Sequence, residues 1–377
     1  MIQGQPLTTV EEALVYPDSS PGLNCEMEAP LAAQRDLGEL GRRLKASGLL
    51  QTKPAFPWFR SGILLAVIAG VGAGMILWPA HLVLQILNGV LLGFVFMQIG
   101  FLMHDVGHHQ IFRSPAANRV VGLLLANLLI GVSYSWWVDK HNRHHRNPNH
   151  VDLDPDVDFA PVAFSREQAL AKRWPWRSIV KYQAYLFLPY LLGEHINVHV
   201  LGFDHVLRGR AKQGWTEGIL LVCHHLACFG IAFSVLGTLP AIAFLLTSKA
   251  IAGLYAGLVF APNHKGMMMV DSDSQVSLFH QQVLTSRNIR SNPLNDYLYG
   301  GLNYQIEHHL FPFLRQDQLA AAQAVVKPFC RERGIPYHET GIFRSLKEIL
   351  HHLHEVGAAV RSDDPAKISN HKGRNNL

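Results

Sequence analysis

The sequence has little charge. Only 16% of its 377 residues are Asp, Glu, Lys or Arg, against roughly a quarter in an ordinary soluble domain, while 49% are hydrophobic. The balance disfavours a water-soluble globule and makes a membrane protein the leading class. Cysteine is also scarce: Cys25, Cys223, Cys228 and Cys330 form no paired motif, and two of them lie inside an apolar run. That pattern argues against a disulfide framework and suggests reduced thiols in packed positions. No apolar signal core opens the chain, whose first 50 residues are polar, so a cleavable leader is not expected. A formal charge of +5 and a pI near 9.0 come without a basic helix or an aromatic-basic platform. Nucleic acid is therefore not an expected partner, and the positive charge is assigned to anionic membrane lipid.

What the sequence does have is long apolar runs. Four of them, at 61–79, 81–103, 218–236 and 241–260, approach the roughly 20 residues that cross a bilayer as a helix. They come in two pairs with almost nothing between the members. The expected fold is all-α: an integral membrane protein of two transmembrane hairpins, with interfacial helices and a cytoplasmic cap. Neither tight turn contains Lys or Arg, whereas the N-terminal segment carries Arg35, Arg42, Arg43, Lys45, Lys53 and Arg60. The positive-inside rule then places both termini in the cytoplasm. The expected organisation is a cytoplasmic N-terminal segment at 1–55, a membrane domain at 56–360 and a polar tail at 361–377.

Within the N-terminal segment, residues 31–50 read as an amphipathic helix that either lies on the membrane or packs as a soluble helix. Two further apolar stretches complicate the count of spans. The run 179–193 is short and carries Lys181 and Pro189, so an interfacial helix is expected. The run 120–138 is long enough to span. Trp136, Trp137, Trp174 and Trp176 are candidates for interfacial anchors.

The 22 histidines are unevenly placed. "HDVGHH" follows the second apolar run and gives His104, His108 and His109; "HNRHH" gives His141, His144 and His145; "QIEHH" gives Gln305, His308 and His309. In a helix, spacings of three and four residues put side chains on one face. Together the clusters hold about eight imidazoles, more than the four ligands of a single structural zinc, and suit two metals. Imidazole without thiolate suits iron, zinc or copper and disfavours a zinc finger. A shared site requires all clusters on one side of the membrane, so 120–138 must re-enter or lie in the interface. His224, His225 and Lys249 fall inside the second hairpin away from this spacing, where mutual pairing or snorkelling is expected. "HHLHEVG" at 351–357 reads as a solvated helix.

In this order, and around two hydrophobic hairpins, "HDVGH", "HNRHH" and "QIEHHLFP" resemble the three histidine boxes of the membrane-bound fatty acid desaturases. The resemblance runs from about residue 60 to residue 357, and glutamine at the head of the third box is similar to the front-end, linoleoyl-CoA-like branch. It implies two iron ions, with His104, His108, His141, His144, His145, His308 and His309 as ligands. His264 matches a further ligand between the second and third boxes. His109 is left outside the set. The resemblance brings in Gln305 as a weak ligand or hydrogen-bond donor, and Asn263 as a group that orients a water or caps the helix end. Because metal-bound imidazoles donate their other N–H to an acceptor, Asp105, Glu307, Asp154, Asp156 and Asp158 are candidate supports.

The implied reaction is oxygen-dependent desaturation of a lipid- or CoA-linked fatty acyl chain, with O2 as co-substrate. The chain shows no His-Pro-Gly-Gly cytochrome motif, so electrons are expected from a separate ferredoxin or cytochrome served by an NAD(P)H reductase. Two rival readings are a lipid hydroxylase or ketolase of the same superfamily and a histidine-rich metal transporter. The transporter would need ionisable residues facing a path through the spans.

Overall fold

The structure, a computed structural model, describes residues 28–51, 55, 57–274 and 276–362. Cys25, Lys53, the polar start and the tail beyond Ser362 lie outside the described residues. The regular structure of the described residues is almost entirely helical. After α1 (Glu28–Ala46), four helices among the described residues are long and apolar enough to cross a membrane: α2 (Trp58–Leu77), α3 (Leu82–Gly107), α9 (Gly214–Leu236) and α10 (Thr238–His264).

Each hairpin turns within a few residues. At the end of α2, Gln85 Nε2 donates to the carbonyls of Gly74 and Trp78 at 3.1 and 2.9 Å, satisfying acceptors that a helix terminus leaves open. The central contact of the membrane domain is α3 on α10. A Cβ at Gly89 or Gly93 would come within 2.7 Å of the Phe244 or Ser248 carbonyl, so only glycine permits this approach. Small residues at helix contacts are the usual device where lipid removes the hydrophobic drive to associate.

The run 120–138 does not form one straight helix. α4 (Pro115–Leu123) passes into a π-helical stretch, Leu124–Ile130, and then breaks before α5 (Tyr134–Arg146), with a 109° bend between the two arms. Gly131 makes the break at φ +83°, a conformation that other L-residues rarely adopt. Ser133 then caps α5 by accepting from Trp136 N. The chain thus turns back, and α5 carries the second histidine cluster to the end of α3.

α6 (Arg166–Ala171) and α7 (Trp176–Val180) lead into α8 (Gln183–Leu207), which is longer than the interfacial helix expected at 179–193. The polar residues after Gly193 do not end the helix, because His195 and His199 turn inward and are buried against neighbouring helices. The middle of α8 packs on α10, where Leu191 O and His195 N lie against Gly253.

The cap is assembled from α11 (Leu278–Leu284), α12 (Pro293–Tyr299), α13 (Gln305–Leu310), α14 (Gln316–Glu332) and α15 (Ile342–Ser362). A two-residue parallel pair, β1 (Asn288–Ile289) with β2 (Glu339–Thr340), ties its loops together. Of the two readings open for residues 31–50, the structure takes the packed helix. Leu40 and Leu44 of α1 are buried in one core with Phe279, Ile306, Leu310, Val326 and Phe329. Arg43 pairs with Glu332, and Arg333 pairs with Glu39. α13, which bears the third cluster, is thereby held from behind.

Candidate metal centre

Four elements from distant parts of the sequence meet at the cap end of the spans. α3 extends past residue 103 and delivers His104 on its last turn and His108 at its C-terminal cap. α5 delivers His141, His144 and His145, α10 ends on His264, and α13 delivers His308 and His309.

The ring nitrogens separate into two groups. His104, His108, His141, His145 and His308 form one; His144, His264 and His309 form the other, and within each group the potential ligand atoms lie within 4.8 Å of one another. The second and third clusters are each divided between the groups because adjacent residues of a helix point about 100° apart. Nε2 faces Nε2 throughout: 3.2 Å for His104 and His308, 2.9 Å for His108 and His141, 3.1 Å for His145 and His141, and 3.3 Å for His144 and His264.

The opposite edges of the second group are braced. His144 Nδ1 donates to both Asp154 carboxylate oxygens at 3.1 and 3.0 Å, His264 Nδ1 donates to Thr285 O at 3.0 Å, and His309 Nδ1 donates to Gln282 Oε1 at 2.8 Å. Each bond fixes a tautomer that leaves the Nε2 lone pair facing inward, as metal-binding histidines require. His309 Nε2 is buried and has no protein partner. Burial, and after it the neighbouring rings, push His308 and His309 well below the ordinary histidine range, so both are neutral and able to ligate. The donor set, all nitrogen with no thiolate, fits iron.

Gln305 joins the three-ring group. Its Nε2 lies 2.9 Å from His264 Nε2, and its Oε1 accepts from Asn263 Nδ2 at 2.8 Å. The amide orientation follows the hydrogen-bond network, and the reverse orientation would present oxygen to the centre. Asn263 also donates to Leu302 O at 3.0 Å, so it anchors Gln305 to the cap.

The carboxylates divide by role. Asp154 is buried on His144, whereas Asp156 lies 3.4 Å from His144 Nδ1 and pairs with Lys140. Asp158 is exposed. Asp105 accepts from Gln316 Nε2 at 2.7 Å and lies 3.6 Å from His104 Nδ1. Glu307 points away from the rings into the cap, accepting from Tyr337 and Asn288 at 2.7 Å each, and burial pushes its carboxyl up to about 7. His109, at φ +58°, turns aside and accepts from Asn118 at 3.2 Å.

Sequence reasoning did not single out Thr285, Gln282, Asn288 or Tyr337. A backbone carbonyl has no residue signature, and an isolated Gln has too many ordinary uses. Trp137, expected at the membrane interface, stacks on His141 at 4.5 Å between ring centroids. The helix bearing His351, His352 and His354 contributes to neither ring group. His224, His225 and Lys249 depart from the expected pairing and snorkelling: His225 pairs with His199, and Lys249 Nζ is buried without a hydrogen-bond partner.

Residues 78–341 match the family model described as fatty acid desaturase. The chain is 30% identical over 348 residues to the Delta(6)-fatty-acid desaturase fat-3 of Caenorhabditis elegans, covering 85% of this chain and 76% of that protein. It is 28% identical over 365 residues to the Delta(8)-fatty-acid desaturase of Euglena gracilis, covering 92% and 85%. With the Acyl-lipid (9-3)-desaturase of Physcomitrium patens it shares 29% identity over 303 residues, covering 78% of this chain and 57% of that protein. The four spans, the two histidine groups and these similarities agree: the chain belongs to the fatty acid desaturase family of oxidoreductases, and its relatives are consistent with the front-end branch.

Proposed function

We propose that this protein is an oxygen-dependent acyl desaturase that introduces a cis double bond into a lipid- or CoA-linked fatty acyl chain. The supporting observation is the convergence of eight histidines, from three helices and the end of a fourth, into two adjacent groups of inward-facing nitrogens. His104, His108, His141, His145 and His308 would hold one iron; His144, His264 and His309 would hold the other, with Gln305 beside it. Bound iron would supply oxygen activation and the removal of two hydrogens from adjacent methylenes, with dioxygen leaving as two waters and a separate carrier supplying two electrons.

The protein's own part is positional. An unactivated methylene offers no polar handle, so the bond to be desaturated can be selected only by the shape and distance of the surrounding walls. The Asp154, Thr285 and Gln282 acceptors keep three rings from rotating as charge changes at the centre. The cap core around Ile306 and Leu310 excludes water behind α13. Arg43 of α1 pairs with Glu332 of the cap, which under the positive-inside rule supports a cytoplasmic side for the cap, the histidines and both termini, where a soluble electron carrier would have access.

The test combines metal content with product analysis. Protein purified in mild detergent should carry about two irons per chain, with less in His308→Ala. Supplied with O2, a reductase and a carrier, the intact protein should yield unsaturated acyl products that carry no inserted oxygen atom. Hydroxylated products, or folded protein without stoichiometric metal after iron reconstitution, would refute the reading.

A further inference from the structure

A second cluster of ionisable side chains lies within the membrane domain, away from the metal centre. It is built from His195 and His199 of α8, His224, His225 and Cys228 of α9, Lys249 of α10 and Phe96 of α3. Lys249 stands about 22 Å along the axis of α10 from His264, at the helical rise of 1.5 Å per residue. The rings are mutual neighbours, with centroids 4.5 Å apart for His195 and His199 and 5.0 Å apart for His199 and His225.

The hydrogen bonds of the cluster are incomplete. His224 Nδ1 donates to Leu128 O at 2.9 Å, and His225 Nδ1 donates to Leu221 O at 2.8 Å. His225 Nε2 must then accept from His199 Nδ1, 3.1 Å away. This leaves His199 Nε2, both nitrogens of His195 and Lys249 Nζ buried without partners. His195 and His199 are each only 7% exposed. The Lys249 ammonium sits 4.8 Å from the centroid of the Phe96 ring, a contact that does not replace hydrogen bonds or a counter-charge.

Among the described residues no carboxylate supplies the counter-charge. Glu217 is committed to Ser133, at 2.7 Å, and to Ser135 N, at 3.3 Å. Glu194, next to His195, accepts from Asn197. No described carboxylate forms an ion pair with Lys249. Buried cations in a membrane are costly unless paired, and such groups mark ligand sites. One positive charge, surrounded by imidazoles with free nitrogens and no acid, suits an anion and repels a metal cation. This also argues against a cation-conducting path through the spans.

A hydrated small anion does not enter hydrocarbon readily, so the ligand must carry its own apolar part. Next to the cluster, Ile196, Val200, Leu226, Phe229 and Leu246 expose apolar side chains on the outer faces of the same helices. We infer that the cluster binds the carboxylate of a fatty acid anion, held by Lys249, His195 and His199 while its hydrocarbon lies along α8 and α9. The inference requires the membrane location of these helices but not the desaturase chemistry.

The experiment uses the full chain, with 15N-labelled lysine, in phosphatidylcholine nanodiscs containing oleate labelled with 13C at its carboxyl carbon. Solid-state NMR should show the carboxyl signal dephased by lysine nitrogen in the wild type. Lys249→Met should lose that dephasing, and oleate affinity at this site should fall at least tenfold in Lys249→Met and His195→Leu. Lys249→Arg should keep affinity within a few fold, and Lys249→Met should keep the wild-type elution profile in detergent, tying its loss of affinity to the missing charge. Oleyl alcohol and acetate should compete poorly, the first lacking the charge and the second the chain. Dephasing that survives in Lys249→Met, its absence in folded wild-type protein, or equal competition by oleyl alcohol or acetate would overturn the assignment.

Discussion

The two ring groups of the candidate metal centre are held by different means. In the three-ring group every Nδ1 ends on a fixed acceptor: Asp154, the Thr285 carbonyl or Gln282. In the five-ring group, His145 Nδ1 has no partner, and the rings instead brace one another, with His104 and His108 4.6 Å apart between centroids and Trp137 stacked on His141. A site rich in donors can take its geometry from ring packing. A site with three has less redundancy, so the cap clamps each ring.

Loss of a ligand should expose that contrast most strongly. His264→Ala leaves two imidazoles in its group, and metal should fall to about one ion per chain, with activity down more than about a hundredfold, beyond the effect of losing an outer support. His145→Ala should also remove activity, but four rings remain in its group and its metal content should fall less. Metal analysis of both proteins, purified side by side, decides the point. Equal depletion would mean that donor number does not govern retention.

Removing a brace should cost less than removing a ligand. Asp154→Asn keeps an acceptor for His144 but removes its charge, and roughly a 10- to 100-fold loss in metal affinity or activity is expected. Gln282→Leu removes the acceptor of His309 and also a 2.7 Å bond to His145 O, so a loss near the lower end of that range is expected. Trp137→Leu, in the five-ring group, removes packing without breaking any hydrogen bond to His141. Metal titration should rank it below both. A Trp137 defect as large as that of Asp154→Asn would erase the distinction between clamped and packed rings.

Legibility in the sequence follows the same division. The spans were readable because hydropathy depends on composition over some 20 residues and needs no partner. The convergence of the histidine clusters is legible because their spacing places imidazoles on helical faces. The sharp turn near residue 131 appeared only as a topological need, since Gly131 looks like any glycine in an apolar run. The helix expected at 179–193 stops short of the observed α8 because the polar residues Glu194, His195 and His199 read as a helix leaving the membrane. His195 and His199 face α10 and α9 instead, which periodicity in one helix does not reveal. The braces Thr285 and Gln282 stayed hidden because each acts through an acceptor that tertiary folding alone brings to a ring.

The smallest effect on chemistry is expected from the strut behind the third cluster. Glu307 stands next to His308 in sequence yet turns toward Tyr337 and Asn288, so it supports α13 from the cap side without reaching the metals. Tyr337→Phe removes the phenol that donates to Glu307 Oε1 and accepts from Gln323, leaving buried polar atoms short of partners. The expected cost is about 1–3 kcal/mol of stability, with metal content unchanged and activity within about threefold of the wild type. Thermal unfolding and metal analysis on one preparation separate the two quantities. Lost metal with an unchanged unfolding temperature would place Glu307 among the groups that hold the centre, and the three-ring group would then need a carboxylate as well as its braces.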